Sequence, residues 1–446
     1  MSYTSRRGRR PSEYASKSSH SFIINDPDVS GFLANCDYPK DIEDVDFDKI
    51  PIYTVKNLTS NPIKNVIAID GGRTEIPVRR EFPSSVLTFF QFGALYFTMA
   101  DLENLYIKPF IEPSEISKLK EIQRLKFILP TKNIRVSGMD TLKNSVRKSI
   151  YDFFMQNPQG DKKFIESFKW LLFEDFHTSI SFWNLASCPT CGQRDIKLKT
   201  EEMEKDYTFK CPSCKEIIYL TDTFRLHEII DNEIGAGGII GYLGNVLEQV
   251  VLIHLIWVIL QIKPSLLNEV LFIKDGQLAF FGQTANIHEP MKALIIYLIE
   301  KHSIYLAGLE KSGAFVEHAD EIADKLTPGT AILLNNDYIY RYIIPGRPDA
   351  KDPYGSTTYY GRKVIYKADD DRIYVVTLPT GNIAVNPEAK DFPHIDIILQ
   401  NIKKLKCDMY DSSLIPVSLV NNLVSLSNHP SSVILEKFAR NNIASR

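Results

Sequence analysis

Val66-Ile67-Ala68-Ile69-Asp70-Gly71-Gly72-Arg73 is the stretch on which the fold turns. Four apolar residues run into a carboxylate and two glycines, which reads as a fully buried strand ending at Asp70, where a sheet opens to solvent. The glycines let backbone or a phosphate approach closely. Glu269-Val270-Leu271-Phe272-Ile273-Lys274-Asp275-Gly276 repeats the pattern. Two such strands would set two carboxylates side by side, as many nucleases do to hold divalent metal ions. Asp-Gly after a strand is also a common turn signal, and either instance alone reads more readily as a turn. The pair, with Glu248 inside an apolar stretch between them, points to a site.

Outward from this stretch, Ser84–Phe97 is rich in β-branched and aromatic residues and reads as a strand pairing with the first. Apolar residues recur at helical spacing over Ser114–Leu129, Thr141–Met155 and Asp161–Phe173, with Lys143, Arg147 and Lys148 on a solvated face. A long helix is expected over Glu233–Gln261. A carboxylate at Glu248 within it is costly unless paired, hydrogen-bonded or metal-bound. Gln277–Phe281 reads as a hairpin partner of the Asp275 strand, and His288–His302 as a helix. Ile304–Leu309 is a short strand leading to Glu310-Lys311-Ser312-Gly313, which suits either a phosphate or a solvated turn. Strands are expected at Ala331–Ile343, Tyr359–Tyr366 and Arg372–Leu378, and helices at Ile395–Leu405 and Pro416–Phe438.

The 446 residues suffice for two or three domains, and 44% hydrophobic content supports a sizeable core. A net charge of −3 excludes a wholly basic binder but leaves room for a local basic groove. Arg6, Arg7, Arg9 and Arg10 lie in a serine-rich segment with few apolar residues, expected to be a disordered tail. Ile239–Ile262 imitates a membrane span, but its uninterrupted apolar part is short and it carries Asn245, Glu248, Gln249 and His254. A buried core helix and cytoplasmic residence are expected instead.

Cys188-Pro-Thr-Cys191 and Cys211-Pro-Ser-Cys214 form the most specific local signal. Two Cys-x-x-Cys knuckles at this spacing match a zinc ribbon, closed by four thiolates and therefore structural. Short strands around Ile196–Leu198 and Tyr207–Lys210 fit its hairpins. Cys36 and Cys407 are left over.

Val66–Arg73, Leu247–Glu248, Leu271–Leu278, Leu306–Ser312 and Ser413–Leu426, in this order, resemble the NurA nuclease family. The resemblance implies an α/β, RNase H-like mixed-sheet nuclease core with C-terminal helices, here carrying the ribbon as an insertion. It divides the chain into a basic tail (1–20), an N-terminal part of the core (21–180), the ribbon (181–222) and a C-terminal part of the core (223–446). By position it puts Asp70, Glu248 and Asp275 at a Mn2+ or Mg2+ site, with Lys311 nearby. It also implies a homodimer seated on a HerA-type hexameric ATPase, which would supply any ATP dependence, since this sequence holds no Gly-x-x-x-x-Gly-Lys-Ser/Thr loop. The family pattern has a Tyr and, eight residues later, a His, where this sequence has Ser413 and Asn421. Asn421 can still offer an oxygen to a metal but cannot shuttle a proton; His394 is an alternative source of imidazole.

The expected chemistry is metal-assisted hydrolysis of DNA phosphodiesters, in end resection or anti-phage defence. Arg73, Arg79, Arg80 and Lys311 would neutralise backbone phosphates. The rival expectation takes the missing Tyr and His at face value: a catalytically weak DNA-binding or adaptor subunit whose working part is the ribbon.

Overall fold

A computed structural model describes residues 17–79, 83–101, 120–158, 161–369, 372–381, 384–407, 410, 412–426 and 431–444. Among them runs a nine-stranded mixed sheet. The Asp70 strand, β2 (Asn65–Arg79), lies third from one edge, antiparallel to β3 (Ser85–Thr98), which pairs with the edge strand β4 (Lys120–Lys132). On its other side β2 lies parallel to β9 (Val270–Asp275), and β9 parallel to β10 (Tyr305–Glu310). Three antiparallel strands followed by two parallel ones give this half the ribonuclease H-like order. β13 (Arg372–Pro379), β12 (Gly361–Asp369), β11 (Thr330–Leu333) and β1 (Ile52–Thr54) extend it antiparallel. β5 (Phe182–Ser187) with β6 (Arg194–Lys199), and β7 (Thr208–Lys210) with β8 (Ile217–Tyr219), form two small hairpins.

Both faces of the central strands are covered, which explains their unbroken apolar runs. Ile67, Ile69, Val270 and Phe272 join one apolar cluster with the helices Leu142–Phe154, Phe164–Leu172, Ile240–Ile262 and His288–Lys301. Val66, Ala68, Leu271 and Ile273 face the other way, against the helices Ile395–Lys404 and Ile415–Val424. Among the described residues one helix, Gly237–Ile262, is long and apolar enough to cross a membrane, and 67% of its apolar window is buried inside the protein. A helix packed on all sides is apolar all round.

The structure departs from the sequence reading in several places. β2 does not stop at Asp70; its pairing with β9 stops at Ile69, while its ladder with β3 continues to Arg79. Ser114–Leu129 is no helix where it is described: Phe127 and Leu129 are buried and Ile128 is 46% exposed, the two-residue alternation of a strand. Gln277–Phe281 makes no hairpin. Gly276 turns the chain at φ +79°, and Ala279 bridges to Tyr359 instead. The Ala331–Ile343 strand ends at Leu333, because Asn335 caps a helix over Asn336–Tyr342 by accepting from the Tyr338 amide at 2.8 Å. Pro416–Phe438 is two helices, Ile415–Val424 and Ser431–Ala444. The basic tail's arginines and Arg80 lie outside the described residues.

Candidate active site and metal centre

Register and alternation place the acidic residues. Ile69 pairs with Lys274 in the β2–β9 ladder, so Asp70 and Asp275 follow side by side, one step past the last pair. Each continues the face of the strand residue two before it, Ala68 and Ile273. That is the face covered by the Ile415–Val424 helix. Asp70 is 2% exposed; its Oδ1 accepts from the Gly71 amide at 2.7 Å, and its Oδ2 is buried without a partner. Burial, then the like charges of Asp275 and Glu248, push this carboxyl up to about 8, against the pull of Lys311 and the Gly71 amide. Asp275 Oδ2 lies 2.8 Å from Lys311 Nζ.

Glu248 reaches the site from the opposite face. The Ile240–Ile262 helix sets its Oε2 2.8 Å from Nζ of Lys274, a lysine whose side chain is only 2% exposed. Burial raises the Glu248 carboxyl above its ordinary range, with Lys274 and Arg73 opposing the shift and Asp275 adding to it. Its carboxylate lies over Gly71, where a Cβ would stand 3.0 Å from Oε1. The sequence reading brings three carboxylates into one cluster. The structure sets Asp70 and Asp275 together and holds Glu248 across the strand, within electrostatic reach of both. Among the described residues, only the four cysteines gather three or more ligand atoms within 4.8 Å of one another.

The donor set suits a hard divalent ion: carboxylate oxygens, one of them buried and unpartnered. Lys311 also lines a cavity of about 430 Å³ with Tyr410, Ser412, Ser413, Ser418, Asn421 and Asn422. Ser413 and Asn421 thus share a cavity with Lys311, the ion-pair partner of Asp275. Ser413 Oγ lies 2.9 Å from Ser418 Oγ, and Asn421 is exposed. His394 lies elsewhere: its ring packs on Tyr305, four residues back along β10 from Leu309, the partner of Asp275. At about 3.3 Å per residue this is roughly 13 Å along the strand, too far to supply an imidazole. Arg73 is exposed, yet its guanidinium also faces the helix, 3.0 Å from where a Cβ on Gly244 would stand. Arg79 is exposed at the far end of β2.

The sequence reading missed Lys274 as the partner of Glu248. The available signal was a lysine inside an otherwise apolar strand, which must find a counter-charge if buried.

The four cysteines form a second centre. Sulfur separations are 3.8 Å for Cys188–Cys214 and 3.7 Å for Cys191–Cys211. Thiolates at about 2.3 Å around a tetrahedral ion stand about 3.8 Å apart, so the cluster fits a closed structural metal site. Gly192 at φ +74° and Lys215 at φ +63° turn the two knuckles, their amides bonding back to the Cys188 and Cys211 carbonyls. The ribbon is not a separate lobe. Leu185, Ile196, Leu198, Phe209 and Ile218 share the apolar cluster of the Ile240–Ile262 helix. Arg147, expected on a solvated face, is buried and bonded to Asp222.

Fold and site together describe a ribonuclease H-like α/β chain with an acidic pair at the parting of two central strands. No protein-family model and no curated protein matches the sequence. Among solved structures the chain is similar to the NurA nuclease from Sulfolobus solfataricus, at 10% identity and a TM-score of 0.36 over 96% of each chain. It is also similar to a second NurA structure, at 14% identity and a TM-score of 0.29, over 95% of this chain and 97% of that one. It is the strand order, not this likeness, that marks the sheet as ribonuclease H-like.

Proposed function

We propose that the protein is a divalent-metal-dependent deoxyribonuclease of the NurA type, hydrolysing DNA phosphodiesters. The observation that carries this reading is Asp70: a carboxyl 2% exposed, with an unpartnered Oδ2, beside Asp275 and within the field of Glu248. Asp70 and Asp275 would hold the ion, and Asn421 offers a further oxygen at the rim. A bound Mn2+ or Mg2+ supplies charge neutralisation at the phosphate and an activated water. Lys311 neutralises a phosphate oxygen at the cavity mouth, and Arg73 and Arg79 hold the strand backbone without reading bases. The four cysteines hold a structural Zn2+. Partnership with a HerA-type hexameric ATPase, a homodimeric state, cytoplasmic residence and a role in end resection or anti-phage defence belong to this reading through the family resemblance.

The purified chain, with and without a HerA-type ATPase, should degrade linear DNA with Mn2+ and lose this activity on Asp70→Asn. The catalytically weak adaptor reading draws on Ser413 and Asn421, neutral groups where the family carries Tyr and His. DNA binding with no Mn2+-dependent cleavage under either condition would establish the adaptor in its place.

A further inference from the structure

We propose that the buried pair Glu310–Lys363 is a positioning device for the reaction, one that fixes Lys311 at the acidic pair from the opposite face of the sheet. This rests on the nuclease reading of that site.

The geometry starts at the end of β10. Leu309 joins the apolar cluster of the Ile415–Val424 helix, on the face that Asp275 shares. Alternation turns the next side chain, Glu310, to the other face and brings Lys311 back. Glu310 therefore points away from the acidic pair, while Lys311 Nζ reaches Asp275 Oδ2 at 2.8 Å. Behind the sheet Glu310, 4% exposed, meets Lys363 of β12, 2% exposed, whose Nζ lies 2.7 Å from Oε1 and 2.8 Å from Oε2. β13 runs between the two strands, and where they meet it carries Thr377, the cross-strand partner of both Gly308 and Lys363. A small side chain there leaves room for the lysine to cross.

Two further contacts tie the pair to both sides of Lys311. The Gln277 side-chain amide, two residues past Asp275, donates to Glu310 Oε2 at 2.9 Å. Phe315, in the first turn of the helix Ala314–Ile322, has its ring centroid 3.7 Å from Lys363 Nζ. One ammonium thus holds the residue before Lys311 and the residue four after it, and one carboxylate holds the exit of β9.

Stability alone does not explain this arrangement. Both charges lose their hydration, and a buried pair is often no better than apolar residues of similar volume. What the pair adds is direction: charged groups and an amide bonded in fixed geometry. Displacing Lys311 by about 1 Å would slow the reaction on the order of a hundredfold.

The test is the kinetics of linear-DNA cleavage by the full chain with Mn2+, under conditions in which the wild type is active. Glu310→Leu with Lys363→Met keeps the volume and removes both charges. This double variant should fold and keep KM within about threefold of the wild type, while kcat falls at least about tenfold. Lys311→Met should also lower kcat at least about tenfold. Added to the double variant, it should lower kcat by less than about threefold more, because residues that act as a unit are not additive. A smaller fall in kcat in either variant, a larger change in KM in the double variant, or a larger further loss in the triple variant each overturns the role of the pair. Should the double variant fail to fold, Gln277→Met decides alone. Its kcat should fall at least about tenfold in the wild-type background and less than about threefold beside Lys311→Met, and any other result overturns the role. A folded wild type that cleaves no DNA with Mn2+ overturns the nuclease reading, and this role with it, a result seen without any variant.

Discussion

Arg147 and Asp222 meet in a two-pronged ion pair in the interior, Nε to Oδ1 at 2.9 Å and Nη2 to Oδ2 at 2.8 Å, with side chains 7% and 2% exposed. Arg147 comes from the Leu142–Phe154 helix and Asp222 from the turn after β8. The same Nη2 donates to the Ile217 carbonyl inside the ribbon, and Tyr151 stacks on Tyr219 at 4.4 Å. Removing one partner of a buried pair strands the other charge, typically costing about 3–5 kcal/mol. Arg147→Met should therefore lower stability by about that amount in urea unfolding, and Arg147→Met with Asp222→Leu should restore much of it. A loss below about 1 kcal/mol for the single change would show that the pair does not bind the ribbon to the core.

The cysteine centre yields a prediction of stoichiometry and of reach. Elemental analysis should find one zinc per chain, lost on Cys211→Ser. Because the ribbon's apolar residues belong to the cluster of the Ile240–Ile262 helix, zinc loss should lower the melting temperature of the main transition. A ribbon that unfolds alone, leaving that transition in place, would contradict the shared core.

Asp70 predicts a pH dependence. Its folded carboxyl titrates at about 8 and the ordinary value is 3.8. The folded state therefore keeps a proton that the unfolded chain releases. The resulting stabilisation is complete below pH ~4 and is lost as pH rises to about 8. Without added divalent ions, the melting temperature should fall across this range. Asp70→Asn should flatten the fall and melt above the wild type at pH 8. Equal slopes for the two proteins would place the titration on another group.

The two glycines after Asp70 should separate in their effects. A Cβ at Gly72 would stand 2.1 Å from the Val424 carbonyl oxygen, a backbone atom that cannot rotate away. Gly72→Ala should destabilise by about 1–3 kcal/mol, the range for overpacking a tight interface. At Gly71 the obstacles are side-chain atoms, Phe92 Cδ1 at 2.9 Å and Glu248 Oε1 at 3.0 Å. Gly71→Ala should keep more of the stability in denaturant and lose cleavage activity as Glu248 is displaced. The reverse order of stability would mean that the Ile415–Val424 helix yields more easily than Glu248.

Much of this was legible in the chain because unbroken apolar runs and cysteine spacing are local signals. Val66–Asp70 and Val270–Asp275 read as adjacent buried strands, and the two knuckles read as one centre. What stayed hidden depends on register and on partners distant in sequence. Whether Asp70 ends its strand is decided by where β9 stops pairing, which no residue near Asp70 reports. The face on which Glu248 arrives follows from helix packing, and its counter-charge is Lys274, 26 residues on. Arg147 read as solvated because arginine at helical spacing looks alike whether it meets water or Asp222. Ser114–Leu129 read as helical because its mix of charged and apolar residues fits both periods until Ile128 is seen facing out of the strand Lys120–Lys132.

Arg147's grip on Asp222 and Ile217 has a mechanical consequence for the cysteine knuckles. A module hung on loops can swing, and its reach is then set by linker length. Here the module is riveted at its C-terminal end to a core helix and shares its apolar underside with another. It is a rigid extension of the core, and its exposed edge at Cys191 moves only as the helices beneath it move.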